Sequence, residues 1–328
     1  KALTASGWLA YRQGELEQGR RFLQESLHLF QQAEDGIGMV GALQILSVIE
    51  MDQGDYPAAQ QCLEQSLSLA HALNDEVGIA RGLKYAGGLA WDQDRIAEAR
   101  DHYRESLHRY QRLGDQVSIA NLLLNVGDTE RLLHDVVAAQ ANYEECLKLA
   151  RILGHKGLIG AALKSLGMLA FKREDYEQAR GYGEDALAIL RELGDRSHIA
   201  FALSNLADVA RKLGDYNQAL LYFSQNLQIM HEVGYKWPIF YCLEDIASLL
   251  AEVDQHLEAA VRFLGAAASL RQETGIPVAP DQLAAHEHLL IDLRQRLGER
   301  AFETHWQEGQ HALLDQIVAE VTRLRIAA

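Results

Sequence analysis

The chain has few of the residues that interrupt helices, with four prolines in 328 residues. Pro57 and Pro238 sit where a helix would begin and the missing N–H costs little. Pro277 and Pro280 mark the end of the regular part of the chain. Cysteine is also scarce. Cys62, Cys146 and Cys242 are odd in number and far apart. That excludes a disulfide framework and reads as small core residues of a reduced, cytoplasmic protein. No apolar run approaches the roughly 20 residues of a membrane-spanning helix. Positive charge is in deficit, 31 Lys and Arg against 46 Asp and Glu, for a formal charge of −15. Non-specific binding to nucleic acid or to an anionic membrane is therefore disfavoured. Motifs of catalysis are missing too: no G-x-x-x-x-G-K-[ST] phosphate loop, no H-E-x-x-H, no G-x-S-x-G and no C-x-x-C. His286-Glu287-His288 places its two histidines on different sides of a helix, so it does not make a metal pair. We expect no enzyme, no metal and no cofactor. The chain begins without Met, inside a recognisable repeat and with no signal peptide, so the expectation is a piece of a longer protein.

What is present is a 40-residue period. Leu3, Leu43, Leu83, Leu123, Leu163, Leu203 and Leu243 lie in register, and four positions on stand Gly7, Ser47, Gly87, Gly127, Gly167, Ala207 and Ala247. Gly19, Ala59, Ala99, Ala139, Ala179, Ala219 and Ala259 form a third series, Leu27 to Leu227 a fourth and Met39 to Ile239 a fifth. Each unit reads as two helices. In the copy around Leu203, a first helix is expected from about Ser197 to Leu213 and a second from about Tyr216 to Val233, with apolar residues at helical spacing. Gly214-Asp215 supplies a left-handed stop and the next N-cap. Asp94-Arg95 and His134-Asp135 replace it in two other repeats, and Asp254-Gln255-His256 in a degenerate seventh. A single pair cannot bury both of its faces, so the units must stack.

With Leu166-Gly167, Tyr176 and Ala179, with Gly54-Asp55-Tyr56 and Ala59, and with Gly214-Asp215-Tyr216, Ala219 and Phe223, the chain resembles the tetratricopeptide repeat family. The resemblance implies an all-α, right-handed α-solenoid of about seven helix pairs over residues 1–275. The expected repeats are 1–34, 35–74, 75–114, 115–154, 155–194, 195–234 and 235–274. A C-terminal helical cap is expected over 276–328. In the cap, Asp281 is expected to start a helix from Gln282 to Leu297, and one or two more helices to fill Arg300 to Ile326. The period departs from the family's usual 34 residues. Phe263, Leu264, Gly265, Ala266, Ala267, Leu270, Arg271, Gly275, Pro277, Leu297, Gly298, Phe302, Trp306 and Gly309 also resemble the C-terminal end of bacterial STAND-type regulators. That family joins an ATPase module to a helical-repeat sensor and often to a LuxR-type DNA-binding domain. Here the ATPase and DNA-binding modules would lie in a part of the chain not given.

In the repeat family the first helices line the concave surface. Carried over, that selects Arg81, Lys84 and Trp91, then Asn121, Asn125, Asp128 and Arg131. It goes on to Lys164 and Phe171, then Phe201, Asn205, Asp208 and Arg211. Asn125-x-x-Asp128-x-x-Arg131 recurs as Asn205-x-x-Asp208-x-x-Arg211, each triplet on one helix face. Asparagine can pair with an extended peptide through both donor and acceptor, and arginine can fork onto a carboxylate. Lys1, Arg12, Arg81, Lys84, Arg131, Lys164, Lys172, Arg211 and Lys212 on the mapped face outnumber Asp52, Asp92, Asp128 and Asp208. An acidic protein or peptide, or a small effector bearing a carboxylate, would be steered there. A plainer reading of the two Asp–Arg pairs is i,i+3 support of their own helices. The expected function is a non-catalytic peptide-, protein- or effector-binding module, the sensor arm of a larger regulator. The alternative is a scaffold that packs on its own chain or on another copy without a free ligand.

Overall fold

The structure is a computed structural model and describes residues 1–234, 236–280 and 282–327. Among these residues it is built of seventeen α-helices and no strand. Seven pairs come first. They are α1 (Ala2–Arg12) and α2 (Leu16–Gln32), α3 (Gly36–Asp52) and α4 (Tyr56–Ala72), and α5 (Glu76–Asp92) and α6 (Ile96–Leu113). Next come α7 (Gln116–Leu132) and α8 (Val136–Leu153), α9 (Lys156–Lys172) and α10 (Tyr176–Leu193), and α11 (Arg196–Lys212) and α12 (Tyr216–Val233). The seventh pair is α13 (Lys236–Glu252) and α14 (Leu257–Thr274). The chain ends in α15 (Leu283–Leu297), α16 (Glu299–His311) and α17 (Leu314–Arg323). The expected cap at Asp281 lies outside the described residues. Two compact units are formed, Lys1–Ala162 and Leu163–Ala328.

Helix starts recur about every 20 residues, and their chemistry explains the boundaries. Asp35, Asp55, Asp75, Asp115, Asp135, Asp175, Asp195 and Asp215 each accept a hydrogen bond from the backbone N–H three residues on, at 2.8–3.2 Å. Such a cap contributes about 1 kcal/mol. Pro57 occupies the first turn of α4. The preceding helix stops by entering the left-handed region. Gly54, Gly114 and Gly214 do so at no steric cost, while Asp94 and His134 do so at φ 59° and 65°.

Pairs approach closely where small residues face each other. Ala59, Ala99, Ala139 and Ala219 are wholly buried. At Gly127 a Cβ would stand 2.5 Å from the Tyr143 ring, and at Gly87 equally close to Tyr103. The missing side chain is the space in which each tyrosine lies. The leucine register forms the core of each unit. Leu123 in the first and Leu203 and Leu243 in the second are at most 1% exposed. Each contributes roughly 1.5–3 kcal/mol relative to exposure.

In the second unit α16 packs on α14, and α17 on α12 and α14. A Cβ on Gly265 would collide with the Trp306 carbonyl, and one on Gly309 with the Arg262 carbonyl, so α14 and α16 cross backbone on backbone. Arg271 secures the loop after α14. Its Nε and Nη2 donate to Glu244 at 2.7 and 2.8 Å, and its Nη1 donates to the Pro277 carbonyl at 2.8 Å. Its guanidinium stacks 4.0 Å over Phe240.

Candidate functional site

The first helices carry the candidate residues, and in each unit these side chains are held differently. In the first unit Arg81 donates through Nε to Gln44 Oε1 at 2.5 Å. Gln44 is itself wholly buried and donates to the Gly78 carbonyl at 2.8 Å. The guanidinium is thereby fixed from behind. Lys84 lies over the Tyr85 ring at 5.0 Å, and burial, then the Arg81 charge, lowers its ammonium pKa while Asp115 opposes them. Trp91 is half-buried at the end of α5. Asn121 donates to the Val117 carbonyl of its own helix at 2.9 Å. Asp128 accepts from the Tyr143 hydroxyl at 2.6 Å and stands 4.0 Å from Arg131 Nε. Burial, then the Asp128 charge, pushes the Tyr143 phenol well above its ordinary range.

In the second unit Lys164 lies over the Phe201 ring at 5.7 Å. That ring is 47% exposed, a large apolar surface left in water. Phe171 meets Tyr176 edge-on at 5.4 Å. Phe171, Asp208, Arg211, Lys212 and Glu252 surround a cleft of about 230 Å³. Arg211 donates through Nε to Glu252 at 2.5 Å and through Nη2 to Ser248 at 3.0 Å, and the Tyr216 hydroxyl donates to the same Glu252 at 3.3 Å. Asp208 makes no hydrogen bond or ion pair among the described residues. Burial pushes its carboxyl up, only partly offset by Arg211 and Lys212. Asp245, in the next first helix, is pushed up to about 7 by burial, then by the charges of Asp208 and Glu244.

Phe171, Asp208 and Arg211 are thus gathered around one cleft, and Lys164 and Phe201 are stacked together. Asn125 and Asn205 make no side-chain hydrogen bond among the described residues, which leaves both amides available to a ligand. The charge mapped from sequence stopped at the sixth repeat. The seventh contributes Glu244, Asp245 and Glu252 to the second unit, and Glu252 already engages Arg211. The signal was there in register, since Glu252 stands 40 residues after Lys212 and Ser248 40 after Asp208. Tyr143 was missed because it belongs to a second helix.

Cys146 and Cys242 are buried and Cys62 half-buried, all free. Burial pushes the Cys62 and Cys146 thiols up to about 11, far from thiolate. Among the described residues no group of three or more His, Cys, Asp or Glu could hold a metal. His286 instead lies 4.0 Å from Glu244. Nor is any described helix long and apolar enough to cross a membrane.

Residues 39–112, 118–192 and 158–230 match the family model described as tetratricopeptide repeat. The chain belongs to the tetratricopeptide repeat family. As a family member it is a protein-interaction module. No curated protein is significantly similar to it in sequence. Among solved structures, one it resembles is the Signal Transduction ATPase with Numerous Domains (STAND) protein with a tetratricopeptide repeat sensor from Pyrococcus horikoshii. The TM-score is 0.69 at 16% identity, over 93% of this chain and 47% of that one. The chain therefore spans about half the length of that protein. Aspartyl phosphate phosphatase F from Bacillus subtilis matches with TM-score 0.60 at 16% identity, over 91% and 74%. A Rap protein complexed with Competence and Sporulation Factor matches with TM-score 0.55 at 14% identity, over 98% and 97%. At these identities the likeness is one of fold.

Proposed function

We propose that this tetratricopeptide repeat protein is the sensor arm of a larger bacterial signal-transduction ATPase or transcriptional regulator. It would act in the cytoplasm and bind a peptide, a protein segment or a small effector on the face of its first helices. The ATPase and DNA-binding modules would lie outside these 328 residues, and occupancy of the face would bias their arrangement. The observation that carries the reading is the cleft of Phe171, Asp208, Arg211, Lys212 and Glu252. An aromatic wall, a guanidinium held in place by Glu252 and Ser248, and a carboxylate with no hydrogen bond or ion pair among the described residues are what an extended polar segment needs for orientation. In each unit an asparagine, Asn125 in the first and Asn205 in the second, offers a donor–acceptor amide that no other side chain or backbone group uses among the described residues. Support comes also from the fold of the STAND protein, whose repeat region is described as a sensor, and from the Rap protein, solved in complex with Competence and Sporulation Factor. Arg81, Lys84 and Arg131 in the first unit would suit an acidic partner.

The test is a thermal-shift screen of peptides and small metabolites, with two double variants alongside. A ligand of the folded state raises the melting temperature further as its concentration rises. Arg131→Ala with Arg211→Ala should abolish that shift. Asn125→Ala with Asn205→Ala should leave the unliganded melting temperature unchanged and weaken the ligand about tenfold, the equivalent of about 1.4 kcal/mol. A ligand whose shift survives both pairs would remove this face as the binding surface.

A further inference from the structure

α17 gives way to Leu324, whose backbone is extended, and three side chains from the start of α12 and the turn before α14 hold the backbone of Arg325 to Ala327. Asn217 Oδ1 accepts from the Ile326 N–H at 3.1 Å, and Asn217 Nδ2 donates to the Ile326 carbonyl at 2.9 Å. Gln255 treats the next residue alike, accepting from the Ala327 N–H at 2.7 Å and donating to its carbonyl at 3.2 Å. His256 Nε2 pairs with the Arg325 carbonyl at 2.8 Å. A side-chain amide that satisfies both groups of one residue does what a neighbouring strand does. The segment also alternates as a strand would. Ile326 is 7% exposed within the core of the second unit and Leu324 packs against that core, while Arg325 and Ala327 face water.

Two of the three holding residues, Gln255 and His256, stand where the repeat pattern is broken, whereas Asn217 follows the intact turn at Asp215. In register with Gln255 are Asp55, Asp135, Asp175 and Asp215, each an N-cap, and in register with His256 are Tyr56, Val136, Tyr176 and Tyr216. In the seventh repeat α14 has no side-chain cap, and His256 takes φ 53°. Both features disfavour the local turn. They place Gln255 and His256 against the terminal segment. The irregular turn, which the sequence presents as a degenerate repeat, is a binding device.

We infer that the first turn of α12 and the turn before α14 form a backbone-reading site for an extended peptide with aliphatic residues two apart, which residues 324–327 fill in cis. A partner segment of that chemistry binds there when the cis segment is withdrawn. The site rests on its own contacts and does not depend on the sensor reading of the first-helix face. It asks for no charge on the ligand, because every polar contact is to backbone.

The probe is a fluorescein-labelled peptide of residues 322–328, read by anisotropy against the full chain. In the unaltered protein the tethered segment competes at an effective concentration on the order of millimolar, so binding is weak. Ile326→Asp should expel the cis segment and tighten peptide binding at least tenfold. Adding Asn217→Ala and Gln255→Ala to that variant should remove the gain, as should an Ile-to-Asp change in the peptide. A folded Ile326→Asp protein that binds no better than the parent overturns the site. So does binding indifferent to Asn217 and Gln255. Should Ile326→Asp fail to fold, amide exchange in the full chain carrying only Asn217→Ala and Gln255→Ala decides the matter. Exchange at Ile326 and Ala327 at least tenfold faster supports the clamp, and unchanged protection overturns it.

Discussion

The same triplet, asparagine, aspartate and arginine at i, i+3 and i+6, stands on α7 in the first unit and on α11 in the second, yet the two are wired differently. Asp128 receives a hydroxyl from Tyr143 and lies near Arg131. Asp208 has Phe223 at the equivalent position, receives no hydroxyl among the described residues, and its arginine has gone to Glu252 and Ser248. The cause lies outside the triplets. Gly127 leaves room for the Tyr143 ring, whereas Ala207 replaces that glycine opposite Phe223. Spacing on a helix decides which side chains share a face. What they do there is decided by residues 15 and 41 positions away, on other helices.

The largest effect separates the ways the two units use glycine. In the second, Gly309 faces the Arg262 carbonyl, and backbone cannot rotate aside. Gly309→Ala should cost about 3 kcal/mol or more and loosen α16 from α14. In the first, Gly127 faces a tyrosine ring, which can be exchanged. Gly127→Ala should cost about 1–3 kcal/mol, and Gly127→Ala with Tyr143→Leu should cost less than the sum of the two. The second repeat already carries that smaller pairing, Ser47 with Leu63. Urea midpoints of the four variants check it. Equal costs for the two glycine changes would break the contrast.

Next in size is the response to pH. Asp245 has its pKa raised to about 7 by burial and by Asp208 and Glu244, with Arg211 opposing. Its unfolded value is about 3.9. The folded state therefore holds the proton more tightly, so this stabilisation is complete below about pH 4 and is lost as pH rises to about 7. After allowance for contact with water it should be on the order of 1–2 kcal/mol. In the first unit Asp115 goes the other way. Its hydrogen bonds from Ser118 lower its pKa, so its contribution is present above about pH 4 and lost as pH falls through the depressed value. Asp245→Asn should flatten the pH dependence between pH 5 and 7.5 in thermal melts, and Asp115→Asn should not. A slope unchanged in Asp245→Asn would remove the assignment.

Much of this was legible in one dimension. The helix pairs could be read from Leu3 to Leu243 in register, because a repeat states its core seven times and noise in one copy is corrected by the others. The turns were legible through Gly54-Asp55 and Gly214-Asp215, whose chemistry is local. The uses of the face were not. That Glu252 holds the Arg211 guanidinium could not be read, because Glu252 belongs to a repeat that the mapping left out. Asp254-Gln255-His256 read as decay, because its partners lie some 70 residues further on, where no periodicity points. Packing repeats itself and so leaves a pattern, whereas an interaction made once leaves none.

The smallest effect is the sharpest test of the comparison. Tyr143→Phe removes a hydroxyl that donates to a charged group, a bond type worth about 1.5–3 kcal/mol when dry. The Asp128 side chain is 32% exposed, so water can replace the hydroxyl and the loss should be about 1 kcal/mol. Asp128→Asn should also destabilise, and a double-mutant cycle with Tyr143→Phe should recover most of that 1 kcal/mol as coupling. Asp208→Asn should do the opposite at pH 7. Its carboxylate is half-buried with no donor among the described residues, and burial pushes its pKa up, so the neutral amide is the better fit and stability should hold or rise by a few tenths of a kcal/mol. One substitution at one repeat position should thus change sign between the units. If both variants shift the melting temperature in the same direction, Tyr143 is not what distinguishes them, and the two faces are alike after all.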